Sequence, residues 1–304
     1  MPEIVEVKRF VDFINSKIHN KYILDIIIHK GRYKKHKPFT NYDILKKMCP
    51  IKVIEVKSKG KLIYIILENN LFILNSLGLF GGWLYYSFAK DKYQFEQMRY
   101  YVDKERLESY YTNVINHLNI EFIYTDSKKN KNSLFFYDML SFGSMKVITS
   151  IDELNKKLSI IGPDIMDLET TFDIFINRIR KYNDKKIGIV LMNQKCISGI
   201  GNYLRADILW LSKINPFKNV KNITDDELKK IYYNSRLLTY GEYDRDKAII
   251  LNIIKKRDKI PSDYERDFFI YDQKEDIYGN EVTKELLYEG SQKRYIYFVK
   301  ELQK

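Results

Sequence analysis

Three residues, Gly162-Pro163-Asp164, divide this 304-residue chain into stretches whose apolar spacings cannot share one type of element. Before them, from about residue 22 to 148, apolar residues gather in short β-branched and aromatic runs: Tyr22–Ile28, Ile51–Val56, Leu62–Leu67, Leu71–Leu77, Leu134–Phe136 and Met145–Ile148. Turns rich in Gly, Asn or Lys separate the runs, which predicts antiparallel strands. After them the three-and-four spacing of helices runs through Thr171–Tyr182, Ile187–Met192, Asn202–Ser212 and Asp225–Tyr240. Thr224, with Glu227 three residues on, predicts a capping box at the last of these. A further helix, with Ile4, Val7, Val11 and Ile14 on one face, opens the chain, and past about residue 260 short aromatic strands return. The triplet itself reads as an interdomain hinge. The expected fold is α+β and multi-domain: a β-sandwich with an opening helix over 1–150, a helical domain over 151–262 and a β-hairpin over 263–304.

Lys and Arg number 52 against 40 Asp and Glu, a formal net charge of +12. Such an excess favours an anionic partner, nucleic acid above all, although Lys, Ile, Asn and Tyr enrichment also fits a solvated surface encoded by an A/T-rich genome. The two cysteines, Cys49 and Cys196, and the four histidines, His19, His29, His36 and His117, show no metal-ligand spacing. A four-cysteine finger, zinc-deaminase chemistry and a disulfide framework are therefore excluded, and neither metal nor cofactor is expected. No run of eighteen apolar residues occurs and no signal peptide precedes Pro2. The expectation is an intracellular monomer, not secreted and without a membrane partner.

Removal of Met1 would leave Pro2 with an α-amine, a group whose pKa of about 7.7–8.0 keeps an appreciable neutral fraction near neutrality. A neutral amine can attack a sugar C1′ and form a Schiff base. Glu3 adjoins it as a candidate general acid/base, and Glu6, one helical turn on, is a candidate support. Taken singly, the same residues describe an ordinary helix start with proline first and an acidic first turn. Gly199-Ile200-Gly201-Asn202 stands before a helix whose apolar residues are Leu204, Ile208, Leu209 and Leu211. Glycine N–H groups and a helix N-terminus suit a phosphate, and Asn202 adds a side-chain amide, although a capped turn reads the same way. Ser58-Lys59-Gly60-Lys61-Leu62 reads as a charged turn between strands.

The longer strings are more specific. Pro2-Glu3-x-x-Glu6-Val7 opens the chain, and Ser198-Gly-Ile-Gly-Asn-Tyr-Leu-Arg-Ala-Asp207-Ile-Leu is followed by Ile214-Asn215-Pro216-Phe217. With Lys293-Arg294-Tyr295-Ile296-Tyr297-Phe298 they resemble, in order and over the whole chain, the Fpg/Nei family of DNA glycosylases. The match is closest to its Nei-like branch with a zincless finger, giant-virus homologues included. The resemblance implies a β-sandwich, a helix–two-turns–helix domain and a zincless β-hairpin finger. It implies Pro2 as nucleophile, Glu3 as acid/base, and Lys61, Asn202 and Arg294 on phosphates, with Gly199 and Gly201 in the clamp. Where zinc-bearing relatives place their last two cysteines this chain has Val299 and Leu302, and the first two fall near Glu275 and Tyr278. Packing by Tyr278, Val282, Tyr297 and Val299 would then replace the metal.

A flipped nucleotide leaves a gap that such enzymes fill with side chains. By resemblance the fillers are Leu79, in Leu77-Gly78-Leu79-Phe80-Gly81, and Phe142, in Asp138-Met139-Leu140-Ser141-Phe142-Gly143. The alternative is that both are ordinary core residues at strand ends. Leu140 and Ser141 stand where the family has an arginine pair, which implies weak discrimination of the opposite base. The implied activity is a bifunctional DNA glycosylase/AP lyase of base excision repair, acting on DNA with oxidised bases, mainly pyrimidines, or abasic sites. It would work through a Pro2 Schiff base with β,δ-elimination. The rivals are a non-catalytic lesion or abasic-site binder of the same fold and a basic RNA- or ribosome-associated protein. The lesion-recognition segment, about Lys255 to Arg266, follows no pattern that aligns.

Overall fold

The computed structural model describes residues 2–95, 104–126, 129–243, 268–289 and 292–304. The segment expected to recognise the lesion, and the expected boundary at 262, lie outside them. The chain forms two compact units, one of Pro2 and Glu6–Ser159, the other of Glu3–Val5 and Ile160–Lys304.

Helix α1 (Ile4–Ile18) begins in the second unit and continues into the first, where Val7, Phe10, Phe13, Ile14 and Ile18 are buried. There follow β1 (Tyr22–Ile28), the short helices α2 (Arg32–Lys35) and α3 (Tyr42–Met48), β2 (Ile51–Lys59), β3 (Leu62–Leu67) and β4 (Phe72–Ser76). The unit continues through β5 (Gly81–Ser87), β6 (Lys92–Phe95), α4 (Lys104–Ile115), β7 (Leu118–Thr125), β8 (Lys131–Asp138) and β9 (Ser144–Ile148), and α5 (Ile151–Ile160) runs to its end. Among the described residues nine strands form one sheet in the order β6-β5-β8-β7-β1-β2-β3-β4-β9, every neighbouring pair antiparallel. Few pairs join its two halves, Tyr22 with Lys52 and Ile23 with Ile51. The sheet folds on itself there: Trp83 on β5 donates its indole N–H to Asn75 on β4, far along the strand order, at 3.0 Å. Ile26, Trp83, Phe122 and Phe136 from one half bury against Val53, Ile63, Ile73 and Val147 from the other. This is the sandwich that the apolar runs predict.

Strands β5, β6 and β7 and helices α2 to α5 have no counterpart among the predicted elements. Strand β7 carries Asn119 and Glu121 inside, and the carboxylate of Glu121 accepts from Ser133 Oγ at 2.5 Å and meets His29 Nε2 at 2.7 Å. Buried polar partners thus break the alternation that marks a strand.

The second unit holds α6 (Phe172–Ile179), a 3-10 turn Arg180–Tyr182, α7 (Ile187–Val190), α8 (Asn202–Ser212), a 3-10 turn Val220–Asn222, α9 (Asp225–Tyr243), and the hairpin β10 (Thr283–Glu289) with β11 (Gln292–Phe298). Thr171 caps α6 by accepting from Ile174 N at 3.3 Å. The capping box of α9 forms as expected: Thr224 N donates to Glu227 Oε2 at 2.7 Å and Glu227 N to Thr224 Oγ1 at 3.2 Å. Helix α8 runs through the core, and Leu287, Ile296 and Phe298 of the hairpin bury in the same cluster as Leu204 and Ile208.

Gly162-Pro163-Asp164 is no free connector. Ser198 N donates to Pro163 O at 2.8 Å, Ile165 N to Ser198 O at 3.1 Å and Ser198 Oγ to Gly162 O at 2.9 Å. A Cβ on Gly162 would lie 2.6 Å from Cys196 O. The hinge expected from sequence is a segment bolted to the turn before α8.

Candidate active site and nucleic-acid interface

That turn is built around Gln194. Its side-chain amide donates to Met192 O at 3.0 Å and Ile200 O at 2.8 Å, and its oxygen accepts from Gly199 N at 2.9 Å. Gly199 has φ +107, and a Cβ there would lie 2.4 Å from Ile4 Cδ1, so only glycine lets the turn close over the start of α1. Ile4 N in return donates to Gly199 O at 3.2 Å.

The turn delivers Gly201 as N-cap of α8, and the carboxylate seated there is Glu3. Glu3 Oε2 accepts from Gly201 N at 2.5 Å and Leu204 N at 3.4 Å, and Oε1 accepts from Tyr203 N at 2.9 Å. Glu3 is 1% exposed. Orphan N–H groups and the positive end of the helix dipole are what a buried carboxylate needs. The expected clamp of glycine N–H groups on a phosphate therefore takes another form. Gly201 N is engaged by Glu3 and Gly199 N by Gln194, so in this conformation both glycines contribute shape rather than donors.

One turn into α8, Arg205 is 1% exposed and holds three oxygens: Gly188 O at 3.0 Å, Tyr295 O at 2.8 Å and Asn202 Oδ1. Because the guanidinium takes the oxygen of Asn202, its amide NH₂ is left as the outward donor, with no partner among the described residues. The bond to Tyr295 O ties the hairpin to α8 next to Arg294, which is exposed and makes no ion pair among the described residues. Burial pulls the pKa of Arg205 down to about 10; Glu3 opposes that and Arg294 adds to it. At neutral pH Arg205 stays charged, balanced by Glu3. Helix α8 carries a second polar spoke: Asp207 accepts from the backbone N–H of Phe269, Ile270 and Tyr271 at 3.1–3.3 Å. Neither Arg205, Asp207 nor Gln194 was singled out from sequence. A signal existed for the first, since Arg205 lies three and four residues before apolar Ile208 and Leu209, on the face that must be buried.

The remaining candidates belong to the first unit. Pro2 directly precedes Glu3, and Glu6 is buried on α1. Lys61 sits half-buried in the tight turn Gly60-Lys61 between paired Lys59 and Leu62. Leu79 and Phe142 are exposed, so neither is a core residue. Their two loops interlock: a Cβ on Gly78 would lie 2.5 Å from Gly143 N, and Met139 N donates to Phe80 O at 3.4 Å. Asp138 anchors the second loop by accepting from Gly143 N at 2.8 Å. Phe80 and Leu140, not expected from sequence to fill the gap, are exposed beside them.

No Cys or His follows Cys196 in the chain, so the hairpin and the segment leading to it carry no thiol or imidazole. The zinc expected of related fingers therefore does not fit this chain. Val282, Tyr297 and Val299 bury there instead, and Tyr278 stacks on Trp210 at 6.1 Å. Among the described residues no three His, Cys, Asp or Glu gather to hold a metal, and no helix is long and apolar enough to cross a membrane.

Residues 1–145 match the formamidopyrimidine-DNA glycosylase N-terminal domain, and residues 161–238 match the formamidopyrimidine-DNA glycosylase H2TH domain. The chain is similar to the formamidopyrimidine-DNA glycosylase of Bacillus anthracis, 27% identical over 244 residues, 80% of this chain and 77% of that one. It is equally similar to that of Mycoplasma pneumoniae, 27% identical over 237 residues, 77% of this chain and 75% of that one. Lactococcus lactis formamidopyrimidine DNA glycosylase, solved non-covalently bound to DNA containing an AP site, superposes with a TM-score of 0.74 at 18% identity over 100% of both chains. MutM in complex with DNA containing carbocyclic 8-oxo-G gives 0.72 at 19%, again over 100% of both. At such identities these two structures establish the fold.

Proposed function

The chain belongs to the formamidopyrimidine-DNA glycosylase family, and on that premise we propose that it is a bifunctional DNA glycosylase and abasic-site lyase of base excision repair, with Pro2 as its nucleophile. The observation that carries this reading is the seating of Glu3. A carboxylate held by three backbone N–H groups at a helix N-terminus immediately follows the residue that supplies the amine. That anchor fixes a proton-handling group one residue from the nucleophile.

The Pro2 nitrogen, freed by loss of Met1, attacks C1′ of the flipped nucleotide, and the bond from C1′ to the base breaks with its electron pair leaving on the base. Glu3 takes up the proton that the Pro2 nitrogen sheds on bonding to C1′ and delivers it to the sugar ring oxygen, which opens the ring and leaves the iminium. The iminium acidifies the C2′ proton; its loss expels the 3′ phosphate, and a further proton loss expels the 5′ phosphate. Lys61, Asn202 and Arg294 hold flanking phosphates, with Arg205 as the positioning residue behind the last two. Leu79 and Phe142 fill the gap left by the base, and the hairpin serves as a zincless finger. Oxidised pyrimidines are the preferred lesions in this reading. Leu140 and Ser141 offer no cation to the base opposite, which supports weak discrimination of it.

A second reading, a lesion or abasic-site binder without turnover, is favoured by one observation: Glu3 is fully occupied as a helix cap could be in a protein with no chemistry to perform. Borohydride trapping separates the two. Met1-free protein is mixed with duplexes carrying thymine glycol, hydroxylated uracil, oxidised guanine or an abasic site. A covalent adduct that disappears in Pro2→Gly, ranked across lesions, supports the enzyme. DNA bound without any adduct leaves the binder.

A further inference from the structure

The hairpin β10–β11 has two unlike faces. In its register Leu287, Ile296 and Phe298 turn inward and are buried. The opposite face is made of Lys284, Leu286 and Tyr288 from β10 and Tyr297, Tyr295 and Lys293 from β11, paired Lys284 with Tyr297, Leu286 with Tyr295 and Tyr288 with Lys293; Tyr297 is buried and closes one end of it. None of the six is acidic. Tyr288 is 54% exposed and Tyr295 50%. Each ring has an ammonium over it: Lys293 Nζ lies 5.9 Å from the Tyr288 ring centre and Lys284 Nζ 4.9 Å from that of Tyr295. Lys284 also lies 5.2 Å from the Tyr297 ring, whose hydroxyl donates to Asp272 at 2.9 Å, so this corner of the face is fixed. Arg294 has the inward parity, and the platform is therefore distinct from the arginine assigned above to a flanking phosphate.

We propose that this outward face binds single-stranded nucleic acid, with successive bases stacked on Tyr288 and Tyr295 and the phosphates beside them on Lys284 and Lys293. The two tyrosines are diagonal neighbours across the ladder, about 7–8 Å apart, a step an extended, unstacked strand can span. Exposed rings with interleaved cations suit unstacked bases; a duplex offers no free base face, and an acidic peptide would use the lysines and leave the rings idle. The inference goes beyond the excision reading and adds a second surface to it, one that would hold the strand outside the reaction centre.

The test is fluorescence anisotropy of a lesion-free fifteen-nucleotide oligo(dT) with the full chain, its Tyr288→Ala/Tyr295→Ala variant and its Tyr288→Phe/Tyr295→Phe variant. The alanine pair should weaken binding about tenfold or more, and the phenylalanine pair, which keeps both rings, should bind like the parent. In Lys284→Gln/Lys293→Gln the slope of log K against log salt should fall by about 0.7 per lysine, a readout that a folding defect does not produce. Equal oligo(dT) affinity in parent and alanine variant overturns the proposal. So does polyglutamate binding that requires the lysines while oligo(dT) binding ignores the rings, which would assign the face to an acidic protein. Borohydride trapping on abasic duplex, run with Tyr288→Ala alone, should match the parent. Its absence in the parent would refute the lyase and leave the platform to stand on the anisotropy.

Discussion

Replacing Glu3 by glutamine is expected to destabilise the second unit as well as to stop chemistry. Removing a catalytic group commonly leaves stability unchanged or improved, because active sites store strain. Here the carboxylate receives Gly201 N at 2.5 Å, Tyr203 N at 2.9 Å and Leu204 N at 3.4 Å. Glutamine keeps one oxygen and turns an NH₂ group on the remaining donor. One charge-assisted hydrogen bond is lost, about 1.5–3 kcal/mol, and the charge–dipole attraction at a buried helix start goes with it, up to about 2 kcal/mol. Arg205 also loses its counter-charge. These effects overlap, so the expected loss is about 3 kcal/mol, or roughly 6–12 °C in the transition of a unit this size. The chain has two tryptophans, Trp83 in the first unit and Trp210 in the second, so a Trp83→Phe background lets Trp210 fluorescence follow the second unit alone during urea unfolding. A Glu3→Gln protein whose stability matches the parent within about 0.5 kcal/mol, or exceeds it, refutes the capping role.

Other expectations follow from the same geometry. Arg205→Met should weaken binding to an abasic duplex, and in an Asn202→Ala background its effect should shrink by at least about 0.5 kcal/mol; strict additivity would show that Arg205 does not act through Asn202. Arg294→Ala should lower the salt slope of duplex binding by about 0.9, uniformly across sequences. Gly199→Ala combines a backbone φ of +107 with a Cβ 2.4 Å from Ile4 and should cost more than about 2 kcal/mol. Gly279→Ala, at φ +82 with nothing within 4 Å, isolates the backbone part, and equal costs at the two sites would sink the steric account. Burial alone would raise the pKa of Glu227, but its bonds to Lys218 and Thr224 bring it below the usual value of 4.5. The capping box therefore stabilises above about pH 4.5 and is lost as pH falls through the folded value. The stability gap between parent and Glu227→Gln, about 1 kcal/mol or less at pH 7, should close in acid.

Local chemistry was legible. The helix Asn202–Ser212 lies where its apolar spacing put it, and Thr224 with Glu227 formed the box their types and separation require. Strand β7 was hidden because Glu121 and Asn119 point into the protein and find partners there, which no window of sequence displays. The glycines before α8 were noted for backbone freedom, but the side chains that take their N–H groups were not foreseen. Their N–H groups meet Gln194, five residues away, and Glu3, on the far side of the first unit's sequence. Arg205 carried the opposite difficulty: a charged residue in a basic chain looks like surface until the oxygens of Gly188, Asn202 and Tyr295 surround it.

Glu3, Ile4 and Val5 belong with residues from 160 onward, although the chain on either side of them belongs to the first unit. A ribosome therefore makes these three residues roughly 200 residues ahead of their partners, an interval of about 10–40 s at ordinary elongation rates. Until Gly201 to Leu204 emerge, the first turn of the opening helix has nothing to close on. The nascent chain can build most of its sheet while Glu3, Ile4 and Val5 still lack their partners. Glu3 is thus set in place after the stretch of chain that follows it has been made, and a chain broken off before the turn at Gly199 would carry this carboxylate without its seat.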